Sequence, residues 1–155
     1  MASYLLGTQT LLDVAKGKGK AYDWFHSRAA QTNLFPDDVS ISAFSVALIE
    51  THFREHPPKD AKQATHMLNV FGLIKRFAQD GAIVGVGPKI VEYWSHHLNF
   101  DIEYPTPQDP HQLLGFEEKL VLATAKLGNG GNGYQLVDRK QQVHQDIGLL
   151  VHDPY

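Results

Sequence analysis

An α/β fold built on a mostly parallel sheet is what this sequence predicts, and two observations carry the expectation. Short apolar runs of strand type alternate along the 155 residues with segments whose apolar positions recur every three or four residues. The first run, Leu5-Leu6 after Tyr4, is apolar without alternation, as a strand buried on both faces requires. No repeat and no second domain interrupts the pattern, so residues 1–155 are read as one domain.

After that first strand, Leu11, Leu12, Val14 and Ala15 stand at near-helical spacing, and KGKGK (Lys16 to Lys20) closes the short helix. Tyr22 to Ala30 reads as a second helix, with Tyr22, Phe25 and Ala29 on one face. VSIS (Val39 to Ser42) is a strand leading into the helical AFSVALIETHF, which His56-Pro57-Pro58 stops. Asp60 suits the N-cap of the next helix, whose Ala64, Met67, Leu68, Phe71, Ile74 and Ala78 form an apolar stripe. AIVGVG (Ala82 to Gly87) is a further strand, and Pro88 suits the first turn of a helix to about Leu98. Three prolines make Tyr104 to Pro110 irregular. A helix from about Phe116 to Leu127, a GNGGNG loop, a strand YQLV (Tyr134 to Val137) and a last strand at Leu149 to Val151 complete the reading.

Composition narrows the class. With 43% hydrophobic and 20% charged residues the chain is ordinary for a globular protein. No apolar run approaches the roughly 18 residues that span a bilayer, and no secretory leader is seen, so no membrane is expected as a partner. The absence of cysteine removes disulfides, thiolate metal sites and thiol nucleophiles, and it fits a cytoplasmic location. A formal net charge of −3 argues against a globally basic nucleic-acid binder but leaves room for a local patch.

Several tempting motifs fail on chemistry. GNGGNG has the glycines of a phosphate loop, yet it follows a helix and lacks the lysine that would meet the phosphates. His96-His97 are adjacent on a helix, about 100° apart, so they do not chelate together; the nine histidines are read as surface and half-buried imidazoles. No Gly-x-Ser-x-Gly elbow supports a serine hydrolase. Lys16, Lys18 and Lys20, with Lys59, Lys62, Lys75 and Arg76 nearby in sequence, form a weak, salt-sensitive candidate for phosphate contacts.

The segment YLLGTQTLLDVAKGKG resembles the opening of PIN-domain proteins, most closely the VapC-type toxin ribonucleases of toxin–antitoxin pairs. SISAFSVALIETHF is similar to the family's second strand and following helix. EKLVLATAKLG is similar to its Asp-x-x-Ile-Ala-Ala-Thr-Ala helix, and YQLVDRKQQVHQDIGLLVHDPY to its closing Val-Thr-Arg-Asn strand and final Asn-Pro. Residues 54–111 match only in helical character. The resemblance implies a PIN-like three-layer α/β/α sandwich, in which acids from separated segments meet at the carboxyl ends of the strands and hold Mg²⁺ or Mn²⁺ to cut RNA.

Carried over position by position, the resemblance leaves that set incomplete. The first aspartate falls on Gly7, which cannot ligate; Thr8 keeps the family's threonine, and Gln9 replaces Asn or Ser. The helix glutamate falls on Leu48, and Glu50 points about 200° away from it. The third acid survives as Glu118, with Glu117 beside it at the surface. Asp138 stands where Thr or Ser is usual, Lys140 where Asn or Asp is usual, and Val143 where some members have a further aspartate. An ordinary alternative for Gly7, a turn glycine with positive φ, leaves Leu48 and Lys140 unexplained.

The expectation is therefore a PIN-like protein with a degenerate metal site, in which Gly7, Leu48 and Lys140 are the lost positions. Lys140 is expected to pair with Glu118 or Asp138 in place of a metal. The retained task is binding, to nucleic acid such as RNA or to an antitoxin-like protein, without a cofactor. The rival is an active Mg²⁺- or Mn²⁺-dependent endoribonuclease using Thr8, Glu118 and Asp138, with the two acids as ligands. A purely structural α/β protein is a third possibility. The apolar stripe of the Asp60–Ala78 helix, with Tyr93, Trp94 and Phe100, adds the expectation of a homodimer.

Overall fold

The computed structural model describes residues 3–29 and 35–155. Along it run β1 (Tyr4–Leu6), α1 (Thr8–Val14), α2 (Lys20–Ser27), β2 (Val39–Ser42), α3 (Ala43–Glu55), α4 (Ala61–Gln79) and β3 (Ile83–Val84). Then follow α5 (Pro88–His97), α6 (Phe116–Leu127), a 3₁₀ turn (Asn129–Gly131), β4 (Gln135–Val137), α7 (Gln142–Asp146) and β5 (Val151–His152). The strands form one sheet in the order β3-β2-β1-β4-β5, every pairing parallel.

Side-chain alternation along the strands divides the core in two. Leu6, Val39, Ile41 and Val137 pack with Leu11, Val14, Phe25, Ile49, Val70, Ile74 and Phe77 on one face. Leu5 and Leu136 pack with Ile90, Leu98, Val121, Leu122, Ala125, Val143 and Leu149 on the other. Helices thus cover both faces, which is the three-layer PIN-like α/β/α arrangement that the resemblance implied.

Local chemistry explains the helix starts. Ser42 Oγ accepts from Phe44 N–H at 3.1 Å to cap α3, and Asp60 Oδ1 accepts from Gln63 N–H at 2.8 Å to cap α4. Pro88 opens α5.

Some elements differ from expectation. The second helix begins at Lys20, two residues early, because Gly17 and Gly19 take positive φ and complete the turn before it. Its proposed end at Ala30 lies outside the described residues. The inward face of α4 is Val70, Ile74 and Phe77; Leu68 is 66% exposed and Ala78 is also exposed, so the stripe is rotated from the expected one. The last strand is Val151–His152 rather than Leu149–Val151. The helix α7 was not legible at all, being one turn of five residues.

Candidate functional site

Chain order reverses direction across the sheet at the β1–β4 pair, where a parallel α/β sheet opens its crevice. Register places Leu6 beside Val137, so the residues that follow, Gly7 and Asp138, are neighbours across that opening. Gly7 N–H donates to Val137 O at 2.9 Å and fixes the pair.

Gly7 has φ −65° and ψ 158°, an ordinary extended conformation, which removes the positive-φ explanation for its being glycine. Its neighbour supplies another. A Cβ at position 7 would stand 2.7 Å from Asp138 Oδ2, 2.9 Å from its Cγ and 3.2 Å from its Cβ. The Asp138 carboxylate occupies the room that a side chain at position 7 would need.

Asp138 is 8% exposed and held on both oxygens. Oδ1 accepts from Arg139 N–H at 2.7 Å, and Oδ2 accepts from the Tyr104 hydroxyl at 2.9 Å. Burial pushes its carboxyl up to about 6, against the lowering influence of the Tyr104 and Arg139 bonds. Tyr104 Oη lies 3.2 Å from His144 Nε2, and His144 is completely buried. Because Gln141 N–H donates to His144 Nδ1 at 3.0 Å, the ring proton belongs on Nε2. The chain of donors then runs in one direction, from His144 Nε2–H to Tyr104 Oη and from Tyr104 O–H to Asp138. Burial depresses the His144 pKa to about 4, in keeping with a neutral ring, and raises that of Tyr104. Neither residue was found from sequence. Tyr104 lay in a proline-rich stretch without periodicity, and His144 was grouped with surface and half-buried histidines.

Glu118 comes from the first turn of α6, where the helix N-terminus favours an acid. Burial raises its carboxyl to about 7, while a hydrogen bond from Thr8 opposes the rise and the charge of Asp138 adds to it. Thr8 Oγ1 also lies 2.9 Å from Oγ of the buried Ser45 on α3. Two carboxyls, both shifted toward neutral pH, thus share one opening.

Around them lies a cleft of about 430 Å³. Thr8, Glu118 and Asp138 line it, with Lys16 and Arg139 as its cations. Lys16 is paired with Asp13 at 2.8 Å, and the Arg139 guanidinium sits 4.0 Å from the centre of the Tyr155 ring. Leu48, Lys18, Lys20 and Lys140 are not among its lining. Lys20 Nζ instead donates to Tyr155 O at 2.6 Å, and Lys18 is exposed. The expected ion pair of Lys140 with Glu118 or Asp138 is not formed. Its side chain is exposed, and its backbone N–H is turned to Asp153 Oδ2 at 3.0 Å. The chain bends at this point into α7, so the cation reaching the cleft is Arg139, one residue earlier.

The donor set is a poor fit to a resident divalent ion. Among the described residues no three His, Asp or Glu side chains converge closely enough to hold one, and both Asp138 oxygens already accept protein hydrogen bonds. Two carboxylates suit Mg²⁺ or Mn²⁺ only when water and a phosphate complete the shell.

No family model and no curated protein sequence matches the chain. Solved structures do share its fold. FitAB bound to an IR36 DNA fragment superimposes with a TM-score of 0.61 at 15% identity, over 97% of this chain and 94% of that one. VapBC2 from Rickettsia felis, bound to a DNA fragment from its promoter, gives 0.57 at 15% identity and 96% coverage of both chains. FitAcB from Neisseria gonorrhoeae gives 0.57 at 16% identity and 97% coverage of both. The chain therefore has the PIN-like fold, shared with these structures.

Proposed function

We propose that this PIN-fold chain is a toxin–antitoxin-type protein whose cleft binds single-stranded RNA with a reduced, metal-poor acid centre. The observation that carries the reading is the cleft itself, a carboxyl pair at the β1–β4 opening with Arg139 and Lys16 beside it. Of the three acid positions carried over first, Gly7 and Leu48 lack a carboxyl and Glu118 keeps one, with Asp138 beside it at a position where the resemblance has Thr or Ser. With its carboxyl raised to about 7, Glu118 is only partly ionised at neutral pH, which lessens its repulsion of a phosphate, while Asp138, raised to about 6, stays mostly charged. Arg139 then supplies the attraction in a salt-dependent way, Lys16 being already paired with Asp13 at the same cleft. An antitoxin-like protein partner, a homodimer and a cytoplasmic location belong to the same proposal. Among the described residues no helix is long and apolar enough to cross a membrane.

The test is anisotropy of a labelled single-stranded RNA in buffer with EDTA. Micromolar affinity that weakens with added salt, and weakens again in Arg139→Gln, is the expected result; no binding without divalent ions would overturn it. A second reading, an Mg²⁺- or Mn²⁺-dependent endoribonuclease using Glu118 and Asp138, is favoured by the exposed Lys140, which leaves the acids without the competing ammonium. Cleavage of the RNA on adding Mn²⁺, abolished in Glu118→Gln, would establish that reading instead.

A further inference from the structure

We infer that the segment Tyr104–Leu113 is a preorganised wall that reads a nucleobase, so that the cleft selects among RNA sequences; the inference rests on RNA being the ligand of the cleft. The segment lacks helix and strand beyond one antiparallel bridge, Glu103 to Leu113, yet it is braced throughout. Tyr104 N–H donates to Gln112 O at 2.7 Å, and Leu114 N–H to Ile102 O at 2.8 Å. Its apex is closed by Thr106 N–H to Asp109 O at 2.9 Å and by Asp109 N–H to Thr106 Oγ1 at 3.0 Å. From outside, Gln141 Nε2 donates to Pro105 O at 3.1 Å, and the Tyr104 hydroxyl ties the start of the wall to Asp138. Three prolines further restrict the backbone. A loop held this way has little freedom left to lose when a ligand arrives, which is what a recognition surface requires.

The chemistry it presents is distinct from the rest of the cleft. Pro105, Thr106, Pro107, Gln108, Gln112 and Leu113 line the opening, and none is charged. Leu113 is 50% exposed, an apolar side chain left uncovered beside two primary amides. Such a surface suits a flat group with an apolar face and a hydrogen-bonding edge. The Gln108 amide offers a donor and an acceptor together, the pairing that a base edge can meet, and the Gln112 amide adds its donor while its oxygen faces the Thr106 hydroxyl at 3.4 Å. A nucleotide unites that group with the anion that Arg139 would attract.

The experiment compares labelled rA, rU and rC homopolymers of about twelve nucleotides against the full chain in EDTA. One should bind about tenfold or more tightly than the others. In Gln108→Ala/Gln112→Ala, two exposed positions whose change leaves the core intact, affinity for the preferred homopolymer should fall to that of the rest. Arg139→Gln should instead weaken all three alike and flatten their salt dependence. Equal binding of the homopolymers by the parent, or a preference that survives in the glutamine double variant, overturns the wall as a base reader while leaving RNA binding standing. Absence of binding to every homopolymer overturns both.

Discussion

Adding a single methyl group at position 7 should unsettle this site more than most surface changes of that size. Gly7→Ala places its Cβ 2.7 Å from Asp138 Oδ2 and 2.9 Å from Cγ, closer than carbon tolerates, so one of the two must move. The backbone adds nothing to the cost, because φ is −65°. Nor can the carboxylate swing away freely, since Tyr104 and Arg139 N–H hold its two oxygens. Losing one such bond to a charged group costs about 1.5–3 kcal/mol, and overpacking alone costs about 1–3 kcal/mol. A total of roughly 2.5–6 kcal/mol follows, and for a chain of this size each kcal/mol lowers Tm by about 2–4 °C. On an Asp138→Ala background the close atoms are gone and only the 3.2 Å approach of Cβ remains. There Gly7→Ala should cost less than about 1 kcal/mol. Urea unfolding of the parent, both single variants and the double variant gives the coupling directly. Additive losses, or a Gly7→Ala protein within about 0.5 kcal/mol of the parent, would refute the shared-space explanation.

Other outcomes follow from the same network. Tyr104→Phe removes the hydroxyl that joins His144 to Asp138 and should cost about 1–3 kcal/mol in chemical denaturation. Stability should depend on pH in a direction set by the carboxyls. Glu118 and Asp138, raised to about 7 and about 6, bind protons in the folded state that the unfolded chain has released, so stability should rise as pH falls from about 8 toward 5. His144, depressed to about 4, opposes this below about 6.5, because the unfolded imidazole takes up a proton that the folded one does not. Glu118→Gln/Asp138→Asn should therefore flatten or invert the Tm–pH slope measured in EDTA. Mn²⁺ at millimolar concentration should move the parent Tm by no more than about 1–2 °C, since a two-carboxylate site binds weakly; a larger shift that vanishes in the double variant would show a working metal centre. Light scattering at tens of micromolar should find a homodimer, with Leu68 and Phe100, 66% and 61% exposed, as apolar surface left for it.

Periodicity and apolar runs were enough to order strands and helices, because those signals are local: Leu5-Leu6 needs burial on both faces wherever it sits, and Asp60 caps α4 with its own neighbours. The pairing of Glu118 and Asp138 was legible by resemblance, and the fold brings both into one cleft. The rest depended on contacts between distant segments. That Gly7 is glycine to admit a carboxylate 131 residues away is a fact of β1–β4 register, which no stretch of sequence carries. Tyr104 and His144 each look unremarkable in their own surroundings and become a donor chain only when the proline-rich segment and α7 meet at Asp138. Lys140 shows the converse. Its place in the motif pointed to the acids, but the turn into α7 aims its backbone at Asp153 and its side chain at solvent. Sequence determined which segments bury themselves, since burial is a property of each segment's own side chains. Tertiary structure decided which polar groups share a space, since that is set by the register and crossing of elements far apart in the chain.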